Sequence, residues 1–245
     1  MCFLVLHHRV HQAAPVVLLA TRDERYDRAF DLPHRWDDAP GVFAPRDREA
    51  GGTWIGTNED GLLVAITNRG RPHPELQGRS RGLLVRDMLR HARAREALET
   101  LAALVEAHAS EGFHLLLADR DHAFAIRREA LPRGTALAPA DVFTWAEGSH
   151  TLSSLHEPDE ARVPHELLPP DVDLASWMAR HEVVSADASP RLPGGVPILK
   201  HSADGRRGTV CAALVTLPDD AQAAAGWRFA AGSPATVPYV DLNVR

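Results

Sequence analysis

The sequence predicts an α+β protein in which two antiparallel sheets are covered by helices, a four-layer αββα sandwich. Three observations lead there. Phe3 to His7 with Pro15 to Ala20, and Phe113 to Ala118 with Ala123 to Ile126, are two pairs of apolar runs that read as hairpins of buried strands. Between them, from Gly82, the hydrophobic period changes to that of helices. Strand runs then alternate with helix runs, and hairpins this apolar belong to sheets with covered faces.

The 245 residues, 44% hydrophobic and 24% charged, suit one domain over 1–245 with a sizeable core. The net charge is −6 and the basic residues are scattered among acids, so no basic face is offered to a phosphate backbone and nucleic acid is excluded as a partner. Cys2 and Cys211 lie far apart and in no metal-ligand spacing, which leaves neither a disulfide framework nor a metal site. The first apolar run stops at His7-His8-Arg9, too short for a secretory signal, and no later run is long enough to span a membrane. A cytoplasmic location, where a free thiol survives, is the expectation.

In chain order, the first hairpin ends at Thr21-Arg22-Asp23-Glu24-Arg25. Pro33 to Pro40, with Trp36 inside, reads as irregular. Gly51-Gly52-Thr53-Trp54-Ile55-Gly56 reads as a close backbone approach feeding a strand, Asn58-Glu59-Asp60-Gly61 as a turn, and Leu62 to Thr67 as the return strand. Asn68 falls at its end. Two helices follow, their faces marked by Leu83, Leu84, Met88 and Leu89 and by Ala97, Leu98, Leu101, Leu104 and Val105, with Gly112 as the stop. After the second hairpin, Val142 to Trp145 continue strand-like, and Thr151-Leu152-Ser153-Ser154 follows a Gly148 turn. Leu174 to Val184 is helical, Pro190 to Pro197 a surface loop, and Thr209 to Leu217 and Trp227 to Ala230 are strands.

Chemistry concentrates at the amino end. With Met1 removed, Cys2 carries a thiol and a free α-amine on one residue; the amine titrates near ~7.7–8.0 and the thiol near ~8.5, so the amine is competent to take the thiol's proton. Position alone leaves open that Cys2 is a small hydrophobe opening a buried strand. Antiparallel pairing brings the end of the second strand back to the start of the first, so Arg22 and Asp23 are expected beside Cys2, unless that cluster is only a solvated turn. Asn68 offers a side-chain amide to an oxyanion, or is simply a turn residue.

Met1-Cys2, Ala20-Thr21-Arg22-Asp23-Glu24, Gly51-Gly52-Thr53-Trp54-Ile55-Gly56, Ala65-Ile66-Thr67-Asn68 and Gly112-Phe113-His114-Leu115-Leu116-Leu117-Ala118-Asp119 together resemble the NRDE family, also called the Transport and Golgi Organisation 2 family, up to about residue 155. A last block lies at Arg206-Arg207-Gly208-Thr209. That family is similar in turn to the N-terminal nucleophile hydrolases that cut non-peptide C–N amide bonds. The resemblance implies the αββα fold and a putting of Cys2 in the nucleophile's place, with Arg22 orienting the site, Asp23 holding the α-amine, Asn68 facing the oxyanion and Arg207 as a late polar contact. The chain departs from the family pattern at Thr21, where asparagine is usual, and at Ser153-Ser154, where the pattern is Ser-Asn; Ser154 then stands in for an oxyanion donor. Losing one such donor typically costs ~10²–10³ in rate.

Two functions therefore stand side by side. One is a hydrolase of a small-molecule amide or acyl bond, without a cofactor. The other is a non-catalytic carrier of haem, lipid or acyl-CoA on the same fold, for which the resemblance supplies the ligand classes and His7 or His8, taken to lie beside Cys2, the haem contact. Loops at Asp31 to Arg48 and Pro190 to His201 are expected to line the specificity pocket.

Overall fold

The computed structural model of the chain describes residues 2–70, 78–160, 174–186 and 199–244. These group into two compact units, Met1–Arg28 with Glu147–Arg245, and Ala29–Ala146. Each is an antiparallel sheet with helix on one face, and together they make up the predicted α+β fold of two antiparallel sheets with helices.

In the first unit β1 (Phe3–His8) and β2 (Val16–Arg25) form the expected hairpin, in the register Phe3 to Thr21 and His8 to Val16. The sheet order is β10-β1-β2-β11-β12-β13, with β10 at Gly148–Ser153, β11 at Arg207–Leu217, β12 at Gly226–Ala230 and β13 at Val240–Leu242. Strands alternate their faces. Phe3, Val5, Val17, Leu19 and Leu214 on one side pack with Met178 of helix α3 (Leu174–Ala186) and with Leu199. Leu4, Leu6, Leu18, Ala20 and Val215, on the other, are buried as well. Burial of both faces is why the sequence shows continuous apolar runs here rather than alternation.

The second unit is a seven-stranded sheet in sequence order: β3 (Phe30–Trp36), β4 (Ala39–Asp47), β5 (Ile55–Asn58), β6 (Leu63–Asn68), β7 (Phe113–Ala118), β8 (Ala123–Arg128) and β9 (Val142–Trp145). Helices α1 (Arg81–Met88) and α2 (Ala94–Ala107) lay Val85, Met88, Ala97, Leu101 and Val105 against Val64, Ile66, Leu115, Leu117 and Ile126. Gly52 and Gly82 meet backbone to backbone, and the Gly82 carbonyl accepts from the Thr53 N–H at 3.0 Å, so a side chain at Gly52 has no room. Asp119, fully buried, caps this region: one carboxylate oxygen accepts from the Ala94 N–H that starts α2, the other from the N–H groups of Asp121 and His122.

Three expectations change. Pro33 to Pro40 is not irregular, because β3 is the edge strand of its sheet, where a proline costs no ladder bond; buried Trp36 anchors it by donating from Nε1 to the Ala44 carbonyl at 3.0 Å. For the same reason Asp31 to Arg48 is a hairpin rather than a loop. Gly112 does not end the helix pair, which stops at Ala107; it is glycine because a side chain there would meet the Arg69 carbonyl. The loop expected at Pro190 to Pro197 lies outside the described residues. No helix among them is long and apolar enough to cross a membrane.

Candidate active site

Cys2 immediately precedes β1, and the ladder sets what surrounds it. Since Phe3 faces Thr21 on β2 and Ser153 on β10, one step further puts Cys2 between Arg22 and Ser154. The Cys2 backbone N–H donates to Ser154 Oγ at 2.8 Å, and the Ser154 N–H returns a bond to the Cys2 carbonyl at 3.2 Å. Cys2 is 7% exposed, Arg22 5% and Asp23 7%, which rules out a solvated turn: β2 runs on through the charged cluster, and the sheet buries it.

Burial pushes the Cys2 thiol above its ordinary value. The positive amino end, a backbone hydrogen bond from Asp23 and the Arg22 guanidinium pull the other way, while the Asp23 charge adds to the rise. Asp23 itself accepts from Thr209 Oγ1 at 2.7 Å, and its second oxygen lies 3.6 Å from Lys200 Nζ. Burial raises this carboxyl above the usual range, against the opposing pull of Lys200 first and the Thr209 hydroxyl second. Thr209 also ties Lys200 to β11, its Oγ1 accepting from the Lys200 N–H at 3.0 Å and its own N–H donating to the Lys200 carbonyl at 2.9 Å.

The resemblance also implies Ser154, Arg207 and Asn68. Ser154, implied as an oxyanion donor, has its hydroxyl on the backbone of Cys2. Thr21 bonds the Phe3 carbonyl at 3.4 Å, so it too serves the sheet. Arg207, with a side chain 61% exposed, reaches Glu24 at 3.5 Å. Asn68 closes β6 of the second unit, opposite Phe113. His7 and His8 are buried within β1, five and six residues along a strand from Cys2, or roughly 16–20 Å at ~3.3 Å per residue, so neither lies beside the thiol. Both ring nitrogens of His7 are engaged, Nδ1 with Ser149 Oγ at 2.7 Å and Nε2 with His181 Nε2 at 3.0 Å.

Lys200 belongs to the segment Pro190 to His201 expected to line a pocket, but neither it nor Thr209 stands out by itself as a site residue, and one signal in the composition points to the first. Of 27 basic residues, 26 are arginine and Lys200 is the only lysine. Beside Asp23 opens a pocket of about 530 Å³ lined by Glu24, Leu155, Leu199, Lys200 and Arg207 among others, within the size range of small-molecule sites. Cys2 is not among its lining residues. No group of three or more candidate metal ligands occurs among the described residues.

Cys211 faces Arg22 from β11, across a bulge between Thr209 and Cys211. It is 1% exposed against 7% for Cys2, and burial pushes its thiol up with Arg22 alone opposing, whereas at Cys2 the amino end, a backbone hydrogen bond from Asp23 and Arg22 all oppose the rise. Iodoacetamide applied to the folded protein should therefore label Cys2 ahead of Cys211, as read by peptide mapping. Equal or reversed labelling would count against Cys2 as the reactive thiol.

Solved structures share this architecture. An N-acylethanolamine-hydrolyzing acid amidase ortholog from Caenorhabditis elegans matches with a TM-score of 0.53 at 13% identity, over 92% of this chain and 98% of that one. A mutant of the conjugated bile acid hydrolase from Clostridium perfringens matches at 0.54 and 9%, over 99% and 93%. The fold is thus that of the N-terminal nucleophile hydrolases, and at such identities the likeness concerns the fold alone. The chain belongs to the Transport and Golgi organisation 2 family, whose profile matches residues 1–162. Its mouse and human homologues are each 35% identical to it over 108 residues, 42% of this chain and 38% of theirs, so the matched stretch spans little more than a third of those relatives.

Proposed function

We propose that the chain is an amidohydrolase of a small molecule that uses Cys2, freed of Met1, as its nucleophile. The observation that carries this is the 2.8 Å bond between the Cys2 nitrogen and Ser154 Oγ: the atom that becomes the α-amine is held against the sheet, one residue from the charged pair Arg22 and Asp23. The fold shared with an amidase and a bile acid hydrolase supports the reading, as does a neighbouring pocket of ligand size.

In this reaction the α-amine takes the thiol proton, and sulfur attacks the carbonyl carbon of the substrate. As the C–N bond breaks, the leaving amine takes a proton from the α-ammonium, and the acyl group stays on sulfur as a thioester. Water, deprotonated by the same amine, then releases the acid and restores the thiol. Arg22 lies close enough to favour the thiolate, and Asp23 to favour the ammonium, so the two charges separate along the pair. A carrier of haem through His7 is disfavoured by the engagement of both its ring nitrogens.

The decisive comparison is between the processed chain and a form that keeps Met1, with processing verified by intact mass. The processed form should turn over acyl-amide probes, and the form retaining Met1, equally folded by circular dichroism, should not. Equal turnover by both would end the proposal.

A further inference from the structure

We infer that Lys200 is a positioning residue of this site, the buried ammonium that fixes Asp23 as a carboxylate at the amino end of Cys2. The inference rests on the proposed function only in giving Asp23 its purpose; the contact itself is independent of any turnover.

Four observations converge on it. The Lys200 side chain is 13% exposed and the Asp23 side chain 6%, so the pair is largely out of water, where an ionised carboxylate without a counter-charge is costly. Thr209 holds the Asp23 carboxylate and the Lys200 main chain with one hydroxyl, donating to Asp23 and accepting from the Lys200 backbone N–H, so the Lys200 stem starts from a fixed point beside the carboxylate. Lys200 and Asp23 line the same pocket, which puts the pair at the edge of the space a ligand would enter. And a chain that meets every other need for a cation with arginine uses its one lysine here. An ammonium is a compact point charge on a flexible stem, whereas a guanidinium is a wide planar fork.

Among the described residues, the charges facing Asp23 are few. Across β1 stand Cys2 and the amino end, on β11 Cys211, and beside it on β2 Arg22. The neighbouring Glu24 is taken by Arg28 and Arg207, and His201 is hydrogen-bonded to the Tyr26 hydroxyl at 2.7 Å. Lys200 is the largest of the influences that favour the ionised carboxylate, which would otherwise yield to burial. A neutral Asp23 would leave the α-ammonium without its partner and so disfavour the charge-separated form of Cys2.

A single lysine makes the test unusually direct. Protein grown on lysine carrying carbon-13 at the ε position gives one lysine resonance, and its shift should show an inflection in the acid range as Asp23 takes a proton. That inflection should vanish in Asp23→Asn; its persistence there, or its absence from the unaltered protein, would overturn the inference. The second arm follows the rate of Cys2 alkylation by iodoacetamide against pH. Lys200→Gln should move the acid limb to higher pH, and Lys200→Arg, which returns a charge, should move it back. An unchanged limb in Lys200→Gln, or an equal shift in both variants, would assign the residue a packing role only. If Lys200→Gln does not fold, the resonance of the unaltered chain still decides. Failure of turnover in the processed chain would defeat the proposed function and leave the resonance untouched.

Discussion

Replacing Cys2 by Ala should reduce turnover of acyl-amide probes by roughly 10⁴-fold or more, since the variant keeps the α-amine and the sheet but has no atom to carry the acyl group. A loss of that size corresponds to ~5 kcal/mol of barrier, far above what a methyl-sized change at one strand end does to the fold. Cys2→Ser separates chemistry from packing. It keeps an atom to carry the acyl group, but a hydroxyl is much harder to deprotonate than a thiol, so a fall of at least about a hundredfold is expected with the thermal midpoint little changed. Activity that survives Cys2→Ala would exclude the thiol from the reaction. Retained activity in Cys2→Ser with loss only in Cys2→Ala would instead show that any nucleophile suffices.

Acid should loosen the first unit through His7. This histidine, fully buried between Ser149 and His181, has a folded value well below the ordinary 6.5, first because burial penalises its charged form and then because His181 and His150 do so too. In the unfolded chain it takes a proton below about 6.5, while in the folded state it stays neutral. The unfolded state therefore binds more protons, and the stability His7 contributes is complete above that value and is lost as pH falls from it towards the depressed folded one. The slope cannot exceed about 1.4 kcal/mol per pH unit for one group, which makes a loss of up to ~2 kcal/mol by pH 5. Urea unfolding at pH 7.5 and pH 5 should show a smaller difference in His7→Gln than in the unaltered protein. An identical difference would place the acid sensitivity elsewhere.

The sequence made legible what depends on burial and on neighbours close along the chain. Both apolar hairpins, the helix pair and α3 are written in hydrophobic period, and the pairing of Cys2 with Arg22 follows from antiparallel geometry once β1 and β2 are recognised. β3 was hidden because an edge strand tolerates Pro33, and β13 because three exposed or half-exposed residues carry no alternation. Burial of the Arg22 and Asp23 cluster was equally invisible, since charged residues read as surface until a neighbouring strand is known to cover them. The partners of Asp23 lie about 180 positions away, and no local pattern joins Asp23 to Thr209 and Lys200. That the Ser154 hydroxyl meets the Cys2 backbone was not legible either, because a residue's position in a motif says nothing about which atom its hydroxyl faces.

The order of strands in the first sheet sets a timetable for making the protein. β1 and β2 leave the ribosome well before their partners: β11, which pairs with β2, begins about 180 residues later, and β10, which pairs with β1, follows an inserted unit of its own. At ~5–20 residues per second the outer edge of β1 waits roughly 6 to 25 seconds for β10 and that of β2 roughly 10 to 35 seconds for β11. Its strands are apolar on both faces, the kind of segment that joins the wrong edge when left exposed. The second unit, whose seven strands pair strictly in sequence order, can complete itself in that interval. Assembly of the site around Cys2 is thus among the last events of folding, although Cys2 is made long before Ser154, Lys200 and Thr209, and a chaperone that shields the hairpin early in synthesis would determine how much of the chain ever acquires it.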